Sequence, residues 1–165
     1  MSDAQIQELD AEQRDWLRSP ASLTQRLKQR SDHFQVRLQS LQPLTLAQSA
    51  QRWLGLPAEV TERTVILEAD DKPCIFAKSV WAGQQHPFAS LGEQPLGERL
   101  FNDSRWQRGD ILLTQINGKE LGLAAQPLWA RCSPFYHAQQ WPVWVMEAFL
   151  PAVFSLSREQ DEGKI

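Results

Sequence analysis

The chain has 165 residues, of which 42% are hydrophobic, and its formal net charge is −3. This length and apolar content suit one domain with its own core. The acidic balance and the lack of a basic stripe argue against a nucleic-acid partner. The apolar runs are too short to cross a membrane, and the N-terminus lacks the charged-then-apolar order of a signal peptide. We therefore expect a cytoplasmic protein without stable membrane insertion.

The sequence lacks the common motifs for metal, phosphate and nucleophile chemistry. His33, His86 and His137 have no metal-ligand spacing. Cys74 and Cys132 lie far apart in sequence, as expected for small buried residues rather than for a disulfide. Neither a Gly-rich phosphate loop nor a Gly-x-Ser-x-Gly motif occurs. We therefore expect no metal and no other cofactor.

The first third of the chain has helical patterns. The pattern predicts one helix from Ile6 to Leu17, ended by Ser19-Pro20. Ser22 begins a capping-box pattern and opens a second helix at 22–30. A third helix is predicted at 46–54, with Thr45 as its cap and Gly55 at its end.

After the third helix the apolar pattern changes to a period of two, which is typical of strands. We predict strands at 63–68, 74–81, 110–116, 127–136 and 143–150, and a helix that begins at Pro95. Asn117-Gly118 signals a tight turn. Helices followed by hairpins favour an α+β domain with an antiparallel sheet. We expect a single domain over residues 1–165, with a polar tail at 157–165 that frays.

Three charged residues fall on apolar faces of predicted strands: Arg63, Lys78 and Glu147. Side chains alternate along a strand, so Glu147 shares its face with Val145 and Phe149. A buried charge is costly without a partner. Two interpretations stay open at this point. The residues form structural ion pairs or reach solvent at strand ends, or one sheet face brings them together in a dry pocket for an anionic ligand.

Two segments resemble the chorismate lyase family: Leu91-Gly92-Glu93-Gln94-Pro95-Leu96-Gly97-Glu98-Arg99-Leu100-Phe101 and Glu147-Ala148-Phe149-Leu150-Pro151. Shorter matches at 15–17, at 22–24 and in the Arg63 hairpin extend the resemblance from Asp15 to Leu156. It implies conversion of chorismate to 4-hydroxybenzoate and pyruvate without a cofactor, at the start of ubiquinone biosynthesis. It also implies one α+β domain whose antiparallel sheet and helices enclose the ligand.

The resemblance also implies roles for individual residues. Arg63 matches the arginine that holds the ring carboxylate, and Glu147 matches the glutamate that meets the ring hydroxyl. Leu23 and Leu96 match positions whose backbone amides contact the ligand carboxylate. Lys78 stands where the family often has arginine, and we expect it to face the enolpyruvyl carboxylate and act in catalysis.

The poorly matched region between the last two hairpins contains Arg131 and His137, and no role is implied for either. A buried site further predicts tight product binding and product inhibition. Nothing in the sequence calls for a partner chain, so we expect a monomer.

A second hypothesis is a non-catalytic domain that binds a small aromatic or organic acid. The same fold resembles the effector-binding domain of a family of bacterial transcription regulators. Those regulators carry a fused basic DNA-binding segment, for which this chain has no room before Asp15. We therefore expect the lyase and keep the binding domain as the alternative.

Overall fold

An antiparallel sheet forms the centre of the protein. The computed structural model describes residues 9–20 and 22–162. Within this part of the chain the sheet has seven strands, in the order β1-β2-β3-β7-β6-β4, with β5 also paired to β6. Their bounds are β1 Phe34–Thr45, β2 Glu59–Ala69, β3 Lys72–Ala82, β4 Gln107–Arg108, β5 Leu112–Asn117, β6 Pro127–Tyr136 and β7 Val143–Phe149.

Five α-helices accompany the sheet in the described residues. They are α1 Ala11–Arg18, α2 Leu23–Gln29, α3 Gln48–Leu54, α4 Leu96–Phe101 and α5 Pro151–Glu162, and short 3-10 helices lie at Pro87–Ser90 and Gly118–Leu121. Helices α1, α2 and α5 contribute to one apolar core with strands β2, β3 and β7. The predicted α+β class with an antiparallel sheet is confirmed.

One predicted helix cap is present in the structure and another is not. Ser22 Oγ accepts a hydrogen bond from the backbone N–H of Gln25 and so caps α2 as predicted. The predicted cap at Thr45 is wrong, because Thr45 ends β1 and its hydroxyl donates to Glu59 on the neighbouring strand. Helix α3 instead begins after Ala47, which makes no side-chain cap.

Strand β1 was not predicted, although Phe34, Val36 and Leu38 alternate with polar residues in the first half of the strand. It is the edge strand beside β2, and Val36 is its only buried residue. Its pairing with β2 has a register shift between Leu38 and Ser40, and the strand contains a proline at position 43. Such irregularities discourage pairing with the edge of another sheet.

The predicted tail overlaps the last helix. Helix α5 continues to Glu162, so the backbone is helical through much of the segment expected to fray. Residues 163–165, and Ile6 at the other end, lie outside the described residues. None of the helices in the described part of the chain is long and apolar enough to cross a membrane.

The turn between β2 and β3 fixes the hairpin that carries Arg63. Asp70 and Asp71 both have positive φ, at 51° and 64°. Two such residues between paired strands are typical of a type I′ turn. Asp70 Oδ1 also accepts hydrogen bonds from the backbone N–H groups of Asp32 and His33, at 2.9 and 2.8 Å. The Asp70 side chain therefore ties the segment before β1 to this turn.

We predict that Asp71→Gly stabilises the protein by about 0.5–1 kcal/mol, because glycine adopts positive φ without steric cost. The measurement is urea-induced unfolding followed by circular dichroism. Asp70→Gly is the matched control, since it relieves the same backbone cost but removes the acceptor for two backbone N–H groups. Equal stabilisation by both substitutions would contradict the role assigned to the Asp70 side chain.

Candidate active site

The strand register brings Arg63 and Glu147 to one face of the sheet. Arg63 on β2 pairs with Ser79 on β3, which pairs with Val145 on β7. Directly paired residues point to the same face, and so do residues two apart on one strand. Glu147, two residues after Val145, therefore lies on the face that carries Arg63.

A cavity lies between this face and the helices α2 and α4. It contains about 510 Å³ of space free of protein atoms, its opening to solvent included. Eighteen residues line it: Ser22, Leu23, Thr24, Arg63, Val65, Leu67, Ala77, Ser79, Pro95, Leu96, Gly97, Leu100, Phe101, Arg108, Arg131, Phe135, Val145 and Glu147. Four of the five predicted site residues are among them, and their roles toward a ligand stay predictions.

Lys78 does not join the other charged residues. Its neighbours Ala77 and Ser79 line the cavity, so Lys78 points to the opposite face of β3. There it is half-buried, with Nζ 5.9 Å from the centroid of the Phe76 ring. The expectation that one sheet face brings Lys78 together with Arg63 and Glu147 is therefore wrong. The geometry gives Lys78 no contact with a ligand in this cavity.

Glu147 instead pairs with Arg131. The two residues are directly opposite in the register of β6 and β7, and Arg131 Nε donates to Glu147 Oε1 at 2.9 Å. Arg131 Nη1 also donates to the carbonyl oxygens of Ser19, at 2.6 Å, and Leu17, at 3.4 Å. The Arg131 side chain is 1% exposed. This one guanidinium therefore fixes the carboxylate and holds the segment that follows α1.

Arg108 is a second arginine near the same carboxylate. Its Nη2 lies 3.6 Å from Glu147 Oε1, and its Nε donates to Ser133 Oγ at 3.0 Å. The guanidinium carbon lies 5.6 Å from the ring centroid of Phe101 and 5.2 Å from that of Phe135. Burial lowers the pKa of Arg108 to about 10, with a further lowering by Arg131 that Glu147 opposes. Arg108 is therefore still a cation at neutral pH.

Arg63 is held at another part of the cavity. It is 2% exposed, and its Nη2 donates to the carbonyl oxygens of Gly92 and Gln94, at 3.1 and 2.6 Å. Burial lowers the pKa of Arg63. Both hydrogen bonds use Nη2, and within the described residues Nε and Nη1 make none. Part of the planar fork therefore stays available for a carboxylate.

The roof helices add backbone donors. Leu23 and Leu96 are the first residues of α2 and α4, and both side chains are buried. N–H groups in a first helical turn have no acceptor within their own helix. Helix α4 lies close to α2 at Gly97, where a Cβ would be in ordinary van der Waals contact with Thr24 Oγ1 at 3.6 Å and with Ser22 Oγ at 3.7 Å.

The charges in the cavity do not balance. Three guanidinium groups and one carboxylate line it and leave two positive charges uncompensated, while most of the other lining residues are apolar. Uncompensated charge in a poorly solvated site is costly and attracts counter-ions of opposite sign. The arrangement suits a small ligand with an apolar body and two negative charges.

The sequence contains one feature that indicates a site role for Arg131 and none that indicates such a role for Arg108. Arg131 interrupts a predicted strand with many apolar residues, as Arg63 and Glu147 do in theirs. Arg108 lies in a strand of two residues, which is too short to show a periodicity.

The family model and the similar proteins agree on one family. A family model described as chorismate lyase matches residues 1–159. A protein named probable chorismate pyruvate-lyase from Azoarcus sp. (strain BH72) is 35% identical, with 87% of this chain and 86% of that protein covered. One of the same name from Pseudoalteromonas translucida (strain TAC 125) is 32% identical, with 89% and 88% covered.

Solved structures share the fold at low sequence identity. The effector domain of PhnF from Mycobacterium smegmatis has a TM-score of 0.59 and 16% identity, with 80% of this chain and 90% of that chain covered. The ligand-binding domain of a putative GntR-family transcriptional regulator from Bordetella bronchiseptica has a TM-score of 0.53 and 17% identity, with 73% and 86% covered. These likenesses support the α+β architecture and carry no statement about function.

We predict that Arg131→Met lowers the free energy of unfolding by about 3 kcal/mol, because it removes the closest partner of a largely buried carboxylate. The measurement is urea unfolding near neutral pH. Arg105→Met is the matched control, since Arg105 pairs with Asp103 and their side chains are 72% and 29% exposed. Removing such an exposed pair costs less than about 1 kcal/mol. Equal losses in the two variants would show that the Arg131 contact is no stronger than a surface pair.

Proposed function

This chain belongs to the chorismate lyase family, and we propose that it converts chorismate to 4-hydroxybenzoate and pyruvate. The observation that carries the proposal is the enclosed cavity with two uncompensated positive charges, in which Arg63 and Glu147 share one sheet face. Chorismate is a dianion with a ring carboxylate, an enolpyruvyl carboxylate and a ring hydroxyl. Its charge and its polar groups therefore match those of the cavity.

The reaction itself needs little chemistry from the protein. Loss of the enolpyruvyl group and of the hydrogen on C4 makes the ring aromatic, which supplies a large driving force. The protein must bind a dianion, exclude water and stabilise the charge that develops on the departing oxygen. Fixed hydrogen-bond donors and positioning each lower a barrier by several kcal/mol in dry sites.

We propose that the ring carboxylate binds at Arg63. The free part of the Arg63 fork and the first-turn amides at Leu23 and Leu96 supply donors for it. Glu147 accepts a hydrogen bond from the 4-hydroxyl. Arg131 orients the Glu147 carboxylate through its Nε contact. The apolar residues of the cavity then pack against the ring.

The pathway, the compartment and the oligomeric state are proposed as well. We propose that the product enters ubiquinone biosynthesis, as it does for the family in many bacteria. We further propose that the protein acts as a cytoplasmic monomer. The register shift and the proline in the edge strand β1 support the monomer, since such irregularities discourage one route of association through the sheet.

The binding-only alternative has one observation in its favour, the fold shared with regulator domains. The decisive assay mixes purified protein with chorismate in the presence of a chelator and follows 4-hydroxybenzoate and pyruvate together. Equal amounts of the two products support the lyase. Saturable binding of chorismate without turnover would replace the lyase with the binding domain.

We predict that Arg63→Met lowers kcat/KM for chorismate, because a buried counter-charge for the substrate is lost. The activation free energy is expected to rise by about 2–4 kcal/mol. Glu147→Gln is expected to lower turnover as well, since it keeps the size of the side chain but loses its charge. Initial rates at several chorismate concentrations give both values. Arg37→Met is the control for loss of an arginine outside the cavity.

Circular dichroism spectra must show that both variants fold. A folded Arg63→Met protein with wild-type turnover would remove Arg63 from the site. Unchanged turnover and product affinity in Glu147→Gln would make that residue structural.

We also predict product inhibition, because an enclosed site releases its product slowly. Adding 4-hydroxybenzoate at the start of the reaction is expected to lower the initial rate, whereas added benzoate, which lacks the hydroxyl that Glu147 meets, inhibits less. Initial rates at rising concentrations of each acid measure the difference. Equal inhibition by both acids would contradict a hydroxyl contact at Glu147.

A further inference from the structure

We propose that Arg108 is a catalytic residue, which binds the enolpyruvyl carboxylate and stabilises the negative charge on the departing enolpyruvate oxygen. The inference rests on the proposed function and assigns the part of the site that Lys78 was expected to fill. Lys78 lies on the far face of β3 from the cavity, whereas Arg108 lines it.

The substitution pattern of chorismate restricts where a cation can meet the enolpyruvyl group. The hydroxyl of chorismate is on C4, and the enolpyruvyl ether is on the neighbouring carbon, C3. A cation that meets the ether side chain must therefore lie close to the group that binds the hydroxyl. Arg108 Nη2 is 3.6 Å from Glu147 Oε1, so a hydroxyl bound at Glu147 brings the ether oxygen toward Arg108.

The three arginines differ in how fully their donors are used. Arg131 is bound to the Glu147 carboxylate and to two backbone carbonyls, and it is almost completely buried. Arg63 is anchored to the loop before α4 and is assigned to the ring carboxylate. Arg108 donates from Nε to Ser133 Oγ and from Nη1 to the carbonyl oxygen of Pro20, whereas the contact of its Nη2 with Glu147, at 3.6 Å, is longer than a hydrogen bond. Its Nη2 therefore has a donor to offer to a second carboxylate.

The surroundings of Arg108 hold it in place without neutralising it. Ser133 Oγ accepts from its Nε, and the rings of Phe101 and Phe135 lie near the guanidinium carbon. Arg131, which is also positive, lowers the pKa of Arg108, and burial lowers it more. An anion that binds beside Arg108 therefore offsets an existing electrostatic penalty.

The proposed step balances without a further reactant. The C3–O bond breaks, and its electron pair stays on the enolpyruvate oxygen beside Arg108. The electrons of the C4–H bond form the C3=C4 bond and complete the aromatic ring, and the C4 proton is released. Enolpyruvate then takes up one proton at its methylene carbon and becomes pyruvate. Arg108 is not consumed, since it supplies only positive charge and hydrogen-bond donors.

The test compares chorismate turnover with binding of 4-hydroxybenzoate, which lacks the enolpyruvyl group. We expect Arg108→Met to lower kcat/KM for chorismate by at least about 100-fold and to change the Kd of 4-hydroxybenzoate by less than about 5-fold. Arg63→Met, in contrast, is expected to weaken both. Arg108→Lys keeps the charge without the planar fork and should fall between wild type and Arg108→Met in turnover. Arg37→Met is the control for an arginine outside the cavity.

The possible outcomes separate this proposal from the proposed function. No turnover by the wild-type protein overturns the function itself. Turnover by the wild type and near-normal turnover by Arg108→Met overturns only the role of Arg108. Equal losses of turnover and of 4-hydroxybenzoate affinity would show that Arg108 acts through Glu147 as a structural partner, which also overturns the proposal. If Arg108→Met does not fold, the same comparison is made with Arg108→Lys, whose loss must again be confined to chorismate.

Discussion

The contact between Arg131 and Glu147 is the constraint on which the rest of the site depends. It joins directly opposed residues of β6 and β7 at the floor of the cavity. The same guanidinium binds the backbone carbonyls of Leu17 and Ser19, in the segment that leads from α1 toward the roof helix α2. The Arg131 side chain thus contacts both the strands at the floor of the cavity and the segment that leads to its roof. Because a buried ion pair adds little stability compared with apolar packing, the contribution of this contact lies in holding the Glu147 carboxylate in one orientation.

The cavity is electrostatically incomplete without a ligand. Its guanidinium groups exceed its carboxylates, and burial disfavours the charged form of both Arg63 and Arg108. A protein selected for stability alone would replace these residues with apolar ones of similar volume. Their presence indicates a compromise in which stability is given up for affinity toward an anion. The same preorganised charge then serves the transition state, because the donors are already in place when negative charge moves onto the leaving oxygen.

The sequence predicted those parts of the fold that alternate between apolar and polar residues. The β2–β3 hairpin, β6 and β7 were found because their inner faces are apolar. The edge strand β1 is an exception, since it was missed although its first half, Phe34 to Gln39, has the same alternation. Arg63 and Glu147 stood out as charges inside apolar runs. Lys78 was misplaced because both faces of β3 are apolar, so that periodicity could not tell which face borders the cavity. Arg108 depends on a short pairing with Phe135 that only the folded chain reveals.

The anchoring of Arg63 has a consequence for the loop beside the site. Its Nη2 is bonded to the carbonyl oxygens of Gly92 and Gln94, in the exposed loop just before α4. Displacing this loop breaks two hydrogen bonds of a buried cation, so the residue proposed to bind the ring carboxylate also stabilises the loop that leads into α4. A substitution at position 63 therefore acts on the order of this loop as well as on the charge of the cavity.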